Sequence, residues 1–438
     1  MGDRHKGWGA VAERPEAMIV AALAMRIAFL LVWQTYRFPE APNHFGFGFE
    51  TGSIAGAITR GEGFSSPFGV PNTGPTAWLA PLYPYLLAGV FKVFGLFSTP
   101  SAIAILTINS LFAAFTCWPI FRIADRIFGR TVALISGWTW AVVPFFFRWA
   151  ITWAWDTAIS AFVVALAVWI ALDYEQLTWR RWLGFGVLGG FAALLNPSLI
   201  TLFPLLGLWA GWKQRGSGTF PFRKLAVSML LSFIVTSPWL FRNRIVFGKW
   251  VFLRSNAGFE FSLGNFGGAP GVPFSAGHPT GNRGLMRQYR TMGEIRFVES
   301  RQKLGAQWVN AHRRDFVRTT LKRIADFWDG AELRYELNPP WQPWMVLLTS
   351  APALLGLMFA GLRRFQNLGP LLIVVLAYPL PYYITLTAPR FRHPIEPVLV
   401  VLIAYFCVLM YDEVRTLRQG RTKARVPSEE VYSQDLII

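Results

Sequence analysis

The chain has 438 residues, of which 53% are hydrophobic and only 15% charged. Soluble domains carry about a quarter charged residues, so an ordinary soluble protein is excluded, and several apolar stretches approach the roughly 20 residues that a membrane-spanning helix needs. A net charge of +18 fits Lys and Arg kept on cytoplasmic loops beside anionic lipid; no nucleic-acid module accompanies it, and nucleic acid is not an expected partner.

The expected class is an all-α polytopic membrane protein. Residues 1–17 read as a cytoplasmic N-terminus, with Arg4, His5, Lys6 and Arg14 ahead of an apolar run. No small-residue cleavage site follows, so that run reads as a retained anchor. Spans are expected near 18–36, 101–121, 131–149, 152–172, 182–196, 197–212, 224–241, 342–361, 369–388 and 394–411. They divide the chain into an N-terminal transmembrane module (18–241) with a first external loop (37–100), an external domain (242–341), C-terminal helices (342–411) and a cytoplasmic tail (412–438). The segment 78–97, WLAPLYPYLLAGVFKVFGLF, is apolar enough to span, but Pro81 and Pro84 break its first turns. The short basic connections FRIADRIFGR, WRRW, GWKQRGSGTFPFRK and GLRRF belong in the cytoplasm by the positive-inside rule. That holds only if 78–97 lies along the outer interface, which leaves about ten spans and both termini inside.

In the external region, Ile295, Val298, Leu304, Trp308, Phe316 and Leu321 recur at helical spacing and predict a small helical domain. The stretch SLGNFGGAPGVPFSAGHPTGN before it reads as an ordered loop. Cys117 and Cys407 sit inside apolar segments and imply no disulfide framework.

Chemistry-bearing residues cluster at the expected outer face. In NHFGFGFETGSIAG, the nearest basic residue in sequence to Glu50 is Arg60. Small residues after it suit a short interfacial helix, so Glu50 is either an acid at a helix N-terminus or a general base for an incoming hydroxyl. Asp156, in ITWAWDTAIS, opens a span between tryptophans; ionisable groups at that depth mark function by default, the alternative being a hydrated helix start. In TAPRFRHPIEP, Arg390, Arg392 and His393 lie between Pro389 and Pro394. Guanidinium groups bind phosphate through paired hydrogen bonds, and headgroup snorkelling is the competing reading. Arg242 could add to a phosphate site or cap its helix. His278 and Asn265 are candidate substrate contacts in the glycine-rich loop. Glu50, His44 and Asp156 together offer oxygen and nitrogen ligands for a divalent metal ion, the one cofactor considered.

The order and spacing of these pieces carry a resemblance. The acid after the first span, TGPTAWLAPLYPYLLAGVFKVFG, the RIADRIFGR turn and RFRHPIEP at the last span together resemble the GT-C superfamily, and more narrowly the bacterial family 39 glycosyltransferases. These are related to protein O-mannosyltransferases and the lipid A aminoarabinose transferase. The resemblance covers about 15–411. It implies a polyprenyl-phosphate sugar donor, inverting transfer to a glycan, lipid or protein acceptor, and an active site on the outer face of a bacterial cytoplasmic membrane. Glu50 matches the first-loop catalytic acid, more usually Asp; Asp156 matches a second acidic position; Arg390 and Arg392 match the donor-phosphate region. The lysine that often follows a PPL-like motif is missing, and Tyr83 of APLYPYL is taken as a substrate contact. A membrane transporter and a non-catalytic assembly or flippase partner are the alternatives.

Overall fold

The computed structural model describes residues 13–39, 44–69, 73–265, 274–330 and 340–424. Most of the expected cytoplasmic N-terminus, part of the glycine-rich loop and the end of the tail lie outside them. Among the described residues every regular element is a helix, with one isolated bridge between Ser65 and Pro75.

The chain opens with α1 (Pro15–Val32), then two short helices, α2 (Glu50–Thr59) and α3 (Leu82–Phe94), which pack on each other. The prolines of the second fall where the sequence places them: Pro81 just ahead of the helix and Pro84 in its first turn, where no intrahelical N–H is lost. Next come α4 (Thr99–Phe115) and α5 (Cys117–Phe128), then α6 (Arg130–Val142) and α7 (Pro144–Thr152). The expected loop FRIADRIFGR is therefore mostly helix. Ile120, Ile123, Ala124 and Ile127 recur on one buried face of α5, and only Gly129, at φ +90, makes the turn.

The bundle continues with α8 (Thr157–Leu172), α9 (Trp179–Leu195), α10 (Leu202–Gln214) and α11 (Phe222–Phe247). The α9 and α11 backbones approach so closely that a Cβ on Gly186 would lie 2.2 Å from the Ser228 carbonyl oxygen, the small-residue contact by which helices associate in lipid. Outside the bundle are α12 (Ala257–Asn265), α13 (Arg283–Met292), α14 (Glu294–Ala311) and α15 (Arg313–Asp329). The chain then returns through α16 (Gln342–Leu362), α17 (Gly369–Ala377), α18 (Leu380–Ile384), a 3₁₀ turn over Pro389–Ile395, and α19 (Glu396–Ala424).

A helix stands at each expected span, but fewer can cross a bilayer than the expected ten. By length and hydropathy five described helices qualify: Pro15–Val32, Thr99–Phe128, Phe222–Phe247, Gln342–Leu362 and Pro389–Gln419. A sixth is added if α6 and α7, bent by 41°, count as one. Apolar runs overstate helix length because prolines cut them, as at Asn196-Pro197 and at Pro379.

The α6–α7 break is held by a buried arginine. Pro144 has no N–H, so the carbonyls one turn back lose their helical partner. Arg26 of α1 replaces it, donating from Nη2 to the Trp140 oxygen at 3.0 Å and from Nη1 to the Ala141 oxygen at 3.0 Å. The guanidinium also stacks 4.8 Å from the Phe147 ring. This charge inside an apolar helix is a structural clamp, and it aims α7 and the following loop at the site described below.

The external helices lock onto the first loop through Glu294. Its carboxylate accepts from the Thr76 hydroxyl, the Ala77 N–H at 2.7 Å, the Ser255 hydroxyl at 2.7 Å and the Tyr289 hydroxyl at 2.9 Å. A fully satisfied buried carboxylate of this kind rigidifies its surroundings. The periodic apolar set expected here is only partly internal: Val298 is buried, whereas Leu304 and Leu321 are exposed.

Candidate active site

A cavity of about 390 Å³ lies between the first loop, α8, the α9–α10 break, α12 and the 3₁₀ turn. Glu50, Tyr83, Asp156 and Arg390 all line it. Residues from the beginning, middle and end of the chain thus face one space.

The loop carrying Glu50 is shaped by left-handed backbone. His44, Gly48 and Phe49 have φ of 47°, 80° and 47°, and Phe49 immediately precedes α2. Two non-glycine residues in that region store strain of the kind that clusters at functional sites. The loop is anchored on the segment that carries Asp156. The Ala154 N–H donates to the Gly46 oxygen at 3.0 Å, and the Trp153 indole donates to the Phe45 oxygen at 2.7 Å. Those two bonds bring the acids together. Gly48 has no room for a side chain: a Cβ there would sit 2.4 Å from the Ala154 oxygen. Gly48→Ala, which also meets an unfavourable φ, is expected to displace Glu50 and lower turnover about a hundredfold, measured as kcat in a reconstituted reaction with unchanged helical circular dichroism.

Glu50 is the first residue of α2, its side chain 15% exposed. Burial pushes its carboxyl up to about 7, with help from the nearby Glu260 carboxylate and against its own backbone hydrogen bond, Arg390 and Arg254. His278 Nε2 lies 3.5 Å from Glu50 Oε1. Burial among Phe49, Phe68, Trp78 and Phe259 lowers this imidazole to about 3, so the contact joins a neutral ring to the acid and is not an ion pair. The Thr280 N–H points at His278 Nδ1, which leaves Nε2 to carry the proton toward Glu50.

Asp156 stands at the start of α8, its Oδ2 accepting from the Ser160 hydroxyl at 3.3 Å. Tyr83 donates to Asn109 Oδ1 at 3.1 Å. Arg390 is framed by rings, its Cζ lying 5.0 Å from the Trp153 centroid, 5.4 Å from Trp155 and 4.7 Å from Phe391. The guanidinium is thereby fixed in orientation while bordering the cavity.

Several expected site residues are elsewhere. Arg392 and His393 are 1% and 0% exposed and do not line the cavity. Arg392 donates to Glu396 Oε1 at 3.2 Å and to the Thr349 hydroxyl at 2.9 Å, and His393 Nδ1 lies 2.6 Å from Glu396 Oε2. The alternation of a 3₁₀ turn sends neighbouring side chains in different directions, Arg390 outward and Arg392 into the packing. Arg392→Met would leave Glu396 without its guanidinium and is expected to destabilise the fold by about 3 kcal/mol. That shows as a lowered Tm, with donor affinity of the folded protein unchanged.

Arg242 is also structural: it donates to the Thr76 oxygen at 2.7 Å and the Phe64 oxygen at 3.0 Å, pinning the first loop. Asn265 is taken up by the Phe261 and Ile384 oxygens and by Arg323. His278 lies behind Glu50 and not on the cavity wall. His44 stacks on Phe97, ring centroids 3.6 Å apart, so His44, Glu50 and Asp156 do not assemble as a metal set. Among the described residues no three His, Cys, Asp or Glu side chains form such a group.

The structure adds residues that the sequence does not single out. Arg254, Asn256 and Glu260 line the cavity as a chain, with Arg254 Nε donating to Asn256 Oδ1 at 3.0 Å and Asn256 Nδ2 to Glu260 Oε1 at 3.1 Å. Burial raises the Glu260 carboxyl, opposed by Arg254 and Arg390. Asn196, Ser198 and Tyr382 complete a polar wall, the Tyr382 hydroxyl donating to Ser198 at 3.0 Å.

With this geometry in place, comparison with known proteins adds a match over part of the chain. Residues 78–241 match the family described as dolichyl-phosphate-mannose-protein mannosyltransferase. The matched segment contains Tyr83 and Asp156 but neither Glu50 nor Arg390. The fold is similar to the apo oligosaccharyltransferase of Archaeoglobus fulgidus, with a TM-score of 0.51 and 13% identity over 94% of this chain and 52% of that one. The family match covers less than half of the chain, and the likeness to the solved structure is one of fold. Two further matches to solved structures are weaker. The A. fulgidus oligosaccharyltransferase AglB, in complex with an inhibitory peptide and a dolichol-phosphate, has a TM-score of 0.49 and 14% identity, over 97% of this chain and 52% of that one. ArnT from Cupriavidus metallidurans, bound to undecaprenyl phosphate, has a TM-score of 0.40 and 12% identity, over 89% and 77%. This chain spans about half the length of the archaeal proteins it matches. No curated protein matches it. It is a multi-pass membrane protein.

Proposed function

We propose that this chain moves a sugar from a polyprenyl-phosphate-linked donor to an acceptor hydroxyl at the outer face of a bacterial cytoplasmic membrane, with inversion. The observation that carries this reading is the shared cavity: Glu50 and Arg390 line one space, a carboxylate on one side and a guanidinium on the other.

The donor phosphate lies against Arg390, whose planar fork matches two phosphate oxygens. The acceptor oxygen attacks the anomeric carbon from the Glu50 side. A carbon–oxygen bond forms to the acceptor, the bond from that carbon to the phosphate oxygen breaks, and its electron pair leaves on polyprenyl phosphate. Glu50 takes the acceptor proton, and Arg390 stabilises the charge gathering on the departing phosphate. A carboxyl raised to about 7 is well matched to proton abstraction near neutral pH. His278, neutral and carrying its proton on Nε2, holds Glu50 in register. Asp156, Tyr83 and the Arg254–Asn256–Glu260 chain present the polar groups that orient the sugar and the acceptor. In the bilayer, the long apolar helices crossing it and an interfacial α3 suit this arrangement, with the external helices roofing the cavity.

The test is a reconstituted reaction. Purified protein in lipid nanodiscs is given a panel of labelled polyprenyl-phosphate sugars and an envelope extract, and lipid-linked label is followed into product. Consumption of one donor with release of polyprenyl phosphate is expected. A protein that binds such donors but consumes none is a non-catalytic partner, and one that carries a solute across vesicles instead is a transporter.

A further inference from the structure

A second cavity, of about 780 Å³, lies on the far side of Trp153 and Arg390. It is enclosed by the end of α1, by α7, by the start of α16 and by the approach to the 3₁₀ turn. Most of its wall is apolar and aromatic, including Trp33, Phe38, Phe145 and Met345.

Most of its buried side-chain atoms without a partner share one character. Arg148 Nε and Nη1, Trp149 Nε1 and Gln342 Nε2 are buried hydrogen-bond donors with no partner among protein atoms, and all three residues line this cavity. Buried donors left unsatisfied are costly, and four in one cavity call for a common acceptor. Among the described residues no Asp or Glu lines it. Glu396, within electrostatic reach of Arg148, has its oxygens taken by Arg392 and His393. The Arg148 guanidinium is held by rings, 4.4 Å from the Phe145 centroid and 4.8 Å from Trp149. Exposed Arg37 adds a cation at the rim, and Arg390 borders the wall shared with the first cavity.

The cavity's surroundings are those of a lipid-facing site. At one side the end of α1 exposes Leu31, Val32 and Trp33, and at the other the start of α16 exposes Trp341 and Trp344. We propose that this cavity binds a bilayer phospholipid, with its phosphate on Arg148, Trp149 and Gln342 and an acyl chain along the aromatic wall. Charge complementarity selects an anionic headgroup: unsatisfied donors, three arginines and no opposing carboxylate. The absence of a carboxylate also separates it from the reaction site, since nothing here could take an acceptor proton. The site stands whether or not the Glu50 cavity transfers sugar.

Native mass spectrometry of delipidated full-length protein, titrated with phosphatidylglycerol, tests this together with the Tm gained on binding. One tightly held phospholipid and a raised Tm are expected for the wild type. Arg148→Gln should weaken binding about tenfold or more. Trp149→Phe removes one N–H while keeping the packing, and should weaken it severalfold; it carries the test if Arg148→Gln does not fold. Wild-type affinity in both variants overturns the proposal. Equal protection by millimolar inorganic phosphate overturns it in favour of a free-anion site. Displacement of phosphatidylglycerol by stoichiometric polyprenyl phosphate overturns it in favour of a second site for the donor lipid.

Discussion

Glu50→Gln is expected to lower sugar transfer about a thousandfold, within the range for loss of a general base, while donor affinity stays within about threefold of wild type. The amide keeps the size of the carboxyl and its place at the head of α2 but cannot accept the proton. A fall in kcat at constant donor Kd is the sign of an interaction made only in the transition state; single-turnover kinetics beside a donor-binding isotherm measure both. The pH dependence follows with a definite sign. A base must be ionised, and burial holds the Glu50 carboxyl at about 7. Transfer should therefore fall tenfold per pH unit below about 7 and level off above it. His278, already neutral over that range, contributes no second limb. A rate that stays flat from pH 5 to 8 contradicts the assignment of Glu50 as base.

Arg390→Gln carries the second large effect. It should weaken donor binding about thirtyfold and lower kcat by a further hundredfold, because a phosphate contact that strengthens as charge develops acts on both. Arg390→Lys keeps the charge but loses the fork and the stacking on Trp153, Trp155 and Phe391, so it should fall between the two. Arg392 supplies the contrast. It lies two positions along the chain but is committed to Glu396 and Thr349, and its loss should appear in Tm and not in donor affinity. Equal effects on donor binding at both arginines contradict this division.

The helical class and the convergence of Glu50, Asp156 and Arg390 were legible because they follow from local patterns. Apolar length marks the bundle, and acids and arginines at the outer face stand out against the cytoplasmic charge bias. The number of crossings was less legible, since a run of apolar residues conceals where proline divides the helix, as at Pro144 and Asn196-Pro197. Arg392, His393 and Arg242 share the composition of a phosphate site and differ from Arg390 only in direction. That direction is set by the 3₁₀ turn and by partners such as Glu396 and Thr76, distant in sequence or hidden in packing. Glu260 and Arg254 carry no local signal of their role. On an external segment an acid and an arginine are ordinary, and only the docking of α12 and the residues leading into it beside Glu50 gives them a place in the cavity. Arg26 and Arg148 show the reverse case: both are intramembrane arginines by sequence, yet one satisfies a proline break and the other faces an apolar cavity.

An experimental structure with a non-transferable polyprenyl-phosphate sugar gives the most direct test. The phosphate is expected against Arg390, with the anomeric carbon presented to Glu50 across the same cavity. A phosphate seated away from Arg390, or a sugar whose anomeric carbon faces away from Glu50, would contradict it.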